Sequence, residues 1–334
     1  MSKLRVGVIG CRGIGVRHAA GLEDLDNVEL VAGCDLSADE LKVFTETHGA
    51  RWPDLQTFSD SEEMLARCDL DIVTIATGDN AHTKLVLGAV EAGARGIFCE
   101  KPLATSLEEA DRMVEACAAS NTILSVDHTR RWMSNWTHAW HLIHEQGAIG
   151  EVQYIISQLT GPRAMLFRNG THLLDVICYY ARSEPVWVMA DLEEGFEDYT
   201  EYRGDGGKSP EKEPAASGYI RFANGVRGFF PCGTKKASKA ASTVQVVGTE
   251  GVISLGFTTL AITRGEEPEQ DITPPQQKYE GIVAGVRELV QLVTEGGTPV
   301  SSGTEAVKAT EIISGFLESQ RQGNAPVQIA SLRT

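Results

Sequence analysis

The stretch Val6-Gly7-Val8-Ile9-Gly10-Cys11-Arg12-Gly13-Ile14-Gly15 decides how the rest of the chain is read. A short apolar run closes on Gly10, and an alanine-rich segment with helical spacing follows over residues 14–22. Strand, tight turn and helix in that order put glycines where backbone N–H groups can approach a pyrophosphate, whose charge a helix N-terminus stabilises. The usual dinucleotide fingerprint would have glycine at position 12. Here Arg12 stands there, Gly10 and Gly15 keep their places, and Gly13 supplies the flexibility. The alternative is a glycine turn that only packs helix on sheet.

Outward from this turn, Val28-Glu29-Leu30-Val31-Ala32-Gly33-Cys34 predicts a second strand ending at Asp35, and Ser37 predicts a helix cap for residues up to about 47. Asp35 lies 20 residues beyond Gly15, placed to accept hydrogen bonds from the ribose hydroxyls of an adenosine. Its charge repels a 2′-phosphate, so NAD is favoured over NADP unless Arg12 or a neighbour compensates. Strands over 71–76, 96–100 and 122–126 alternate with helices over 81–92 and 106–119. These strands are almost wholly apolar, which points to a parallel sheet buried on both faces. The expectation is an α/β chain whose residues 1–127 form a doubly wound Rossmann domain binding NAD(P).

Past Asp127 the pattern changes. Asn224-Gly225 between two strand-like runs predicts a hairpin, residues 245–253 predict another, and residues 279–293 and 304–319 have amphipathic helical spacing. Residues 128–334 therefore read as a second, α+β domain with a large open, mainly antiparallel sheet. Residues 195–217 are charged and rich in glycine and proline, and read as a mobile insertion, either a lid or a solvated loop.

With 334 residues the chain exceeds what one core usually supports, and its formal charge of -16 disfavours nucleic acid and anionic lipid surfaces as partners. No apolar run approaches the roughly 18 residues of a membrane helix. Met1-Ser2-Lys3-Leu4-Arg5 leads directly into a strand, so the expected location is cytoplasmic. The seven cysteines are scattered and read as reduced, mostly buried thiols.

Glu100-Lys101-Pro102 ends a buried parallel strand at the edge where open α/β sheets bind ligands. An ammonium there can hydrogen-bond a reacting oxygen and stabilise developing alkoxide charge; a surface Lys-Pro turn is the alternative. Trp132, in Arg130-Arg131-Trp132, suits either stacking on the apolar face of a sugar or aromatic packing between domains. His138, His141 and His144 recur at three-residue spacing, but no carboxylate or cysteine cluster supports a metal there, and no metal site is expected.

The chain resembles the glucose-fructose oxidoreductase and inositol dehydrogenase (Gfo/Idh/MocA) family over nearly its whole length. The resemblance rests on the glycine turn, Asp35, Ala76-Thr77 followed by His82, Glu100-Lys101-Pro102, Gly147-Ala148-Ile149-Gly150-Glu151-Val152, Gly170-Thr171-His172-Leu173-Leu174-Asp175 and Gly248-Thr249-Glu250-Gly251. It implies NAD(P)-linked hydride transfer on a secondary hydroxyl or keto group of a sugar, polyol, sugar acid or glycoside. It also implies a homodimer or homotetramer assembled through the C-terminal sheet. Lys101 and His172 correspond to the catalytic pair, with His172 exchanging a proton with the substrate hydroxyl. The expected cofactor residues are Gly10, Arg12, Gly13, Ile14, Gly15, Asp35, Thr77, His82, Glu100, Lys101 and Arg131, and the expected substrate residues are Lys101, Trp132, Arg168, Asn169 and His172. Dehydrogenases of the family carry aspartate four residues before the histidine, where this chain has Arg168. That guanidinium is read either as a bidentate partner for a substrate carboxylate, as in a uronate, or as a salt-bridged pocket wall. Two other activities fit the same family: a glycosidase using bound NAD for transient oxidation, and an inactive NAD-sensing regulator.

Overall fold

A computed structural model describes residues 3–204, 209–231, 235–237 and 240–333 of the chain. Cys232 and residues 205–208 of the expected insertion lie outside the described residues. The chain divides into two compact units, Met1–Ala104 with Glu109–Thr129 and Tyr279–Thr304, and Thr105–Glu108 with Arg130–Lys278 and Glu305–Thr334. Among the described residues, no helix is long and apolar enough to cross a membrane.

The first unit is built on β1 (Leu4–Ile9), β2 (Val28–Cys34), β3 (Gln56–Phe58), β4 (Ile72–Ile75), β5 (Gly96–Cys99) and β6 (Ile123–Val126). They form one sheet in the order β3-β2-β1-β4-β5-β6, with every pairing parallel. Val6, Val8, Leu30, Ile72, Ile75 and Ile97 are fully buried, as two-sided strands require. Between strands run α1 (Ile14–Ala20), α2 (Ala38–His48), α3 (Ser61–Cys68), α4 (His82–Glu91) and α5 (Leu107–Ala119). Ser37 caps α2 by accepting from Glu40 N, and Asp60 caps α3 by accepting from Glu62 N. The order reverses between β2-β1 and β4-β5, which makes the carboxyl ends of β1 and β4 the switch point at which such sheets hold ligands.

The first unit does not end for good near the expected boundary at residue 127, because the chain returns to it with α8 (Gly281–Glu295). A Cβ on Gly96 would lie 2.6 Å from Val293 Cγ2, so only glycine in β5 admits this helix so closely. Arg95 Nη2 donates to Val293 O at 2.7 Å and Arg287 Nη1 to Glu23 O at 2.7 Å. Helical spacing identified this segment but carried no information about which sheet it covers.

The second unit contains β7 (Val152–Thr160), β8 (Pro185–Leu192), β9 (Ala216–Phe222), β10 (Arg227–Pro231), β11 (Ala241–Gly248), β12 (Gly251–Leu255), β13 (Leu260–Arg264), β14 (Gln270–Asp271) and β15 (Val327–Gln328). Its sheet runs β14-β13-β12-β11-β7-β10-β9-β8-β15, antiparallel except for the β7–β10 pair. Both expected hairpins are present, β9–β10 turning at Asn224-Gly225 and β11–β12 at Thr249-Glu250. One face packs on α6 (Ser134–His144), α7 (Thr171–Ala181) and α9 (Gly303–Arg321) through a core that includes Trp136, Ile155, Ile177, Ile220, Phe230 and Phe316.

The expected insertion over 195–217 is anchored at several of its described residues. Tyr199 and Glu213 are each 1% exposed, Ala215 N donates to Glu193 Oε2 at 3.2 Å, and β9 already begins at Ala216. Polar composition suggested a solvated loop, but a buried tyrosine and a buried carboxylate anchor it.

Candidate active site

On the first unit, Gly10 has φ +90°, and a Cβ there would run into the Ala76 carbonyl at the end of β4; one on Gly15 would overlap the Gly10 carbonyl oxygen. Both positions therefore exclude any side chain, which leaves a cradle of bare backbone at the switch point. Gly13, at φ +50°, opens α1, whose N-terminus has no side-chain cap. The Gly15 amide is taken by Arg12 O at 2.9 Å, and no side chain competes with an anion at this helix start, which suits a dinucleotide pyrophosphate. Asp35 stands beside this turn: Oδ2 accepts from Cys11 N and Oδ1 from Ser37 N, both at 2.9 Å. Each carboxylate oxygen keeps a second lone pair, so the group is oriented without being used up. Arg12 is exposed, and Ile14 and Thr77 are half-buried. The residues present fit an NAD-type dinucleotide.

Lys101 follows β5 directly, and its bond to Pro102 is cis. His82 was expected at the cofactor, but it is wholly buried and its Nδ1 contacts Pro102 O at 2.9 Å. Burial pushes this imidazole below its ordinary value, so it is neutral and acts as a support for the Lys101-Pro102 turn. Glu100 is likewise placed inward, 8% exposed, with its Oε1 3.6 Å from His18 Nε2.

On the second unit, Arg168 and Asn169 occupy a single π-turn, Leu166–Gly170, that runs straight into α7, and His172 is the second residue of that helix. Glu213 holds the turn by accepting from Phe167 N and, at 2.9 Å, from Arg168 N. One turn along α7, Asp175 is fully buried and pairs bidentately with Arg131, Oδ1 to Nη2 at 2.9 Å and Oδ2 to Nε at 3.0 Å. Burial alone works against the Arg131 charge, but Asp175 and then Glu305 outweigh it and raise its proton affinity. Arg131, expected at the cofactor, has its Nε and Nη2 engaged by Asp175 inside this unit. Trp132 is 6% exposed, which favours packing over sugar stacking. His141 pairs with Glu145 at 3.0 Å, and His144 lies 5.1 Å from the Trp140 ring.

Asp175, Glu213, His18 and Asp127 went unremarked as supporting residues in the sequence. Asp175 carried a signal, an acid alone in the apolar run of α7, and so did Asp127, an acid closing an apolar strand. Glu213 carried none, since its partners are 45 and 46 residues away.

Residues 4–128 match an oxidoreductase family with an NAD-binding Rossmann fold, and residues 137–254 match the GFO/IDH/MocA C-terminal domain. The myo-inositol 2-dehydrogenase of Thermotoga maritima is 25% identical over 317 residues, covering 92% of this chain and 93% of that protein. The D-apiose dehydrogenase of Paraburkholderia graminis is 25% identical over 360 aligned residues, covering 99% and 91%. An oxidoreductase from Agrobacterium radiobacter, crystallised with NAD+, L-tartaric acid and magnesium, shares the fold at a TM-score of 0.79 and 21% identity, with 99% of this chain and 100% of that one covered. With both halves matched in order along one chain, the protein belongs to the Gfo/Idh/MocA family of NAD-binding oxidoreductases.

Proposed function

We propose that the protein is an NAD-dependent dehydrogenase acting on a secondary hydroxyl or keto group of a sugar, polyol or sugar acid. The observation that carries this is the glycine cradle with its oriented Asp35, in the same unit as a supported Lys101 at the carboxyl edge of the sheet. Gly10, Gly13, Gly15 and the N-terminus of α1 would hold the pyrophosphate, and Asp35 the adenosine ribose, which favours NAD over NADP. Bound there, NAD supplies a hydride acceptor. Lys101 orients the substrate oxygen and stabilises its negative charge, and His172 takes the hydroxyl proton and returns it in the reverse direction. Arg168, offered by the π-turn that Glu213 holds, favours an acidic sugar.

A panel of polyols, aldoses and sugar acids screened by NADH absorbance tests this. Turnover should fall at least about tenfold, or 1.4 kcal/mol of barrier, in both Lys101→Ala and His172→Ala. Arg168→Ala should raise KM for acidic substrates more than for neutral ones. Product without accumulating NADH would point to a glycosidase with transient oxidation, and NAD binding without any turnover to a sensor.

The outer face of the second unit's sheet supports self-association. Tyr154, Phe229, Tyr219 and Trp187 form a continuous stripe with ring centroids 5.9, 5.3 and 5.0 Å apart in turn, flanked by exposed Val186 and Met189. A second copy of this chain is the proposed cover.

A further inference from the structure

Beneath the glycine turn, three polar side chains meet inside the apolar packing of the first unit: His18 on α1, Glu100 after β5 and Asp127 after β6. They are 0%, 8% and 1% exposed, and an oxygen or nitrogen from each lies within 4.8 Å of the others. His18 Nε2 is 3.6 Å from Glu100 Oε1, and Thr129 Oγ1 donates to Asp127 Oδ1 at 2.9 Å.

Two carboxylates buried within 4.8 Å of each other beside a buried imidazole cannot both stay ionised, and a proton shared between them removes the repulsion. The Thr129 hydroxyl donates its single hydrogen to Oδ1, so Oδ1 is an acceptor and the proton belongs to the other oxygen of Asp127 or to Glu100. Asp127 is the more deeply buried of the two and lies in the environment that most disfavours charge.

We propose that Asp127 is a neutral carboxylic acid at physiological pH, donates its proton to the Glu100 carboxylate, and so acts as a positioning residue for the adjoining Lys101. Burial first, and then the charge of Glu100, pushes the Asp127 carboxyl well above the usual carboxylate range. Burial pushes His18 down to about 4, so a neutral imidazole rather than a cation faces Glu100. The turn that presents Lys101 is then clamped on both sides, at Glu100 by the neighbouring Asp127 and at Pro102 by His82. An ionised Asp127 would set two like charges against each other in the core and drive Glu100, with the turn, outward. The positioning half rests on the role of Lys101 proposed above.

Infrared spectra of the full-length protein at pH 7 in H2O and D2O, with Asp127→Asn and Asp127→Ala alongside, decide the protonation. A deuteration-sensitive carbonyl band of a protonated acid is expected in the wild type and absent from both variants. Reductive 13C-methylation then reports Lys101, its resonance assigned by loss in Lys101→Arg. Asparagine reproduces the shape and donor of a neutral acid, so Asp127→Asn should leave that resonance in place, whereas Asp127→Ala should shift it. The proposal is overturned by a wild type lacking the band, by a band that survives in Asp127→Asn, by a Lys101 resonance that both variants shift equally or that neither moves, or by stoichiometric bound metal. None of these readouts uses turnover, so they fail separately from the dehydrogenase assignment, which the substrate screen tests.

Discussion

His18 shows how a single side chain can link the fold to pH. Its folded value of about 4 lies below the ordinary 6.5, with burial the largest cause. The unfolded chain therefore binds a proton between pH 6.5 and about 4 that the folded chain refuses. The stability this neutral imidazole contributes is fully present above pH 6.5 and is lost as pH falls through that window, by on the order of 3 kcal/mol at its lower end. Urea unfolding from pH 7.5 to 4.5 should show a midpoint that drops with acid. In His18→Gln, neutral at every pH, the slope should be shallower by about one proton. Equal slopes in the two proteins would show that His18 does not titrate in this way. The turn at Gly10 and Gly15 with Asp35 beside it was legible in the sequence because its geometry is local: glycines between a strand and a helix, and an acid at the end of the next strand. The partners of His82, Glu100 and Arg131 were hidden for the opposite reason, since Pro102, His18 and Asp175 reach them only through the tertiary structure.

At the level of elements, α7 carries the most consequence for the substrate side. The residues from Leu173 to Ala181 read as a plain apolar helix apart from Asp175, yet that acid ties α7 to the turn Thr129–Trp132 through Arg131. Removing one partner of a buried ion pair leaves the other charged and desolvated. Asp175→Ala should accordingly cost about 3–5 kcal/mol of stability. Denaturant titration checks this, and a loss below about 1 kcal/mol would mean that water reaches Arg131 in the folded protein. The π-turn before α7 was invisible in the sequence, because no local pattern marks a carboxylate from residue 213 that closes it.

On the scale of the whole molecule, the aromatic stripe on the outer sheet face is the feature that a monomer explains least well. Light scattering with size-exclusion chromatography should give the mass of a dimer or tetramer. Phe229→Asp, placed between Tyr154 and Tyr219, should reduce it to a monomer with an unchanged circular dichroism spectrum. A wild-type protein that runs as a 36.1 kDa monomer at micromolar concentration would overturn the assignment of this face.

The sequence by itself determined the parallel sheet, the glycine turn with Asp35, the place of Lys101 after β5, and the two hairpins of the second unit. Each depends on residues close together in the chain, through strand apolarity, turn stereochemistry or helix capping. Only the tertiary structure decided that α8 returns to the first unit, that residues around Tyr199 and Glu213 are anchored, and that Asp127, Glu100 and His18 share one buried space. Those outcomes depend on which distant surfaces exclude water together, and a linear pattern of apolar and polar residues does not encode that pairing.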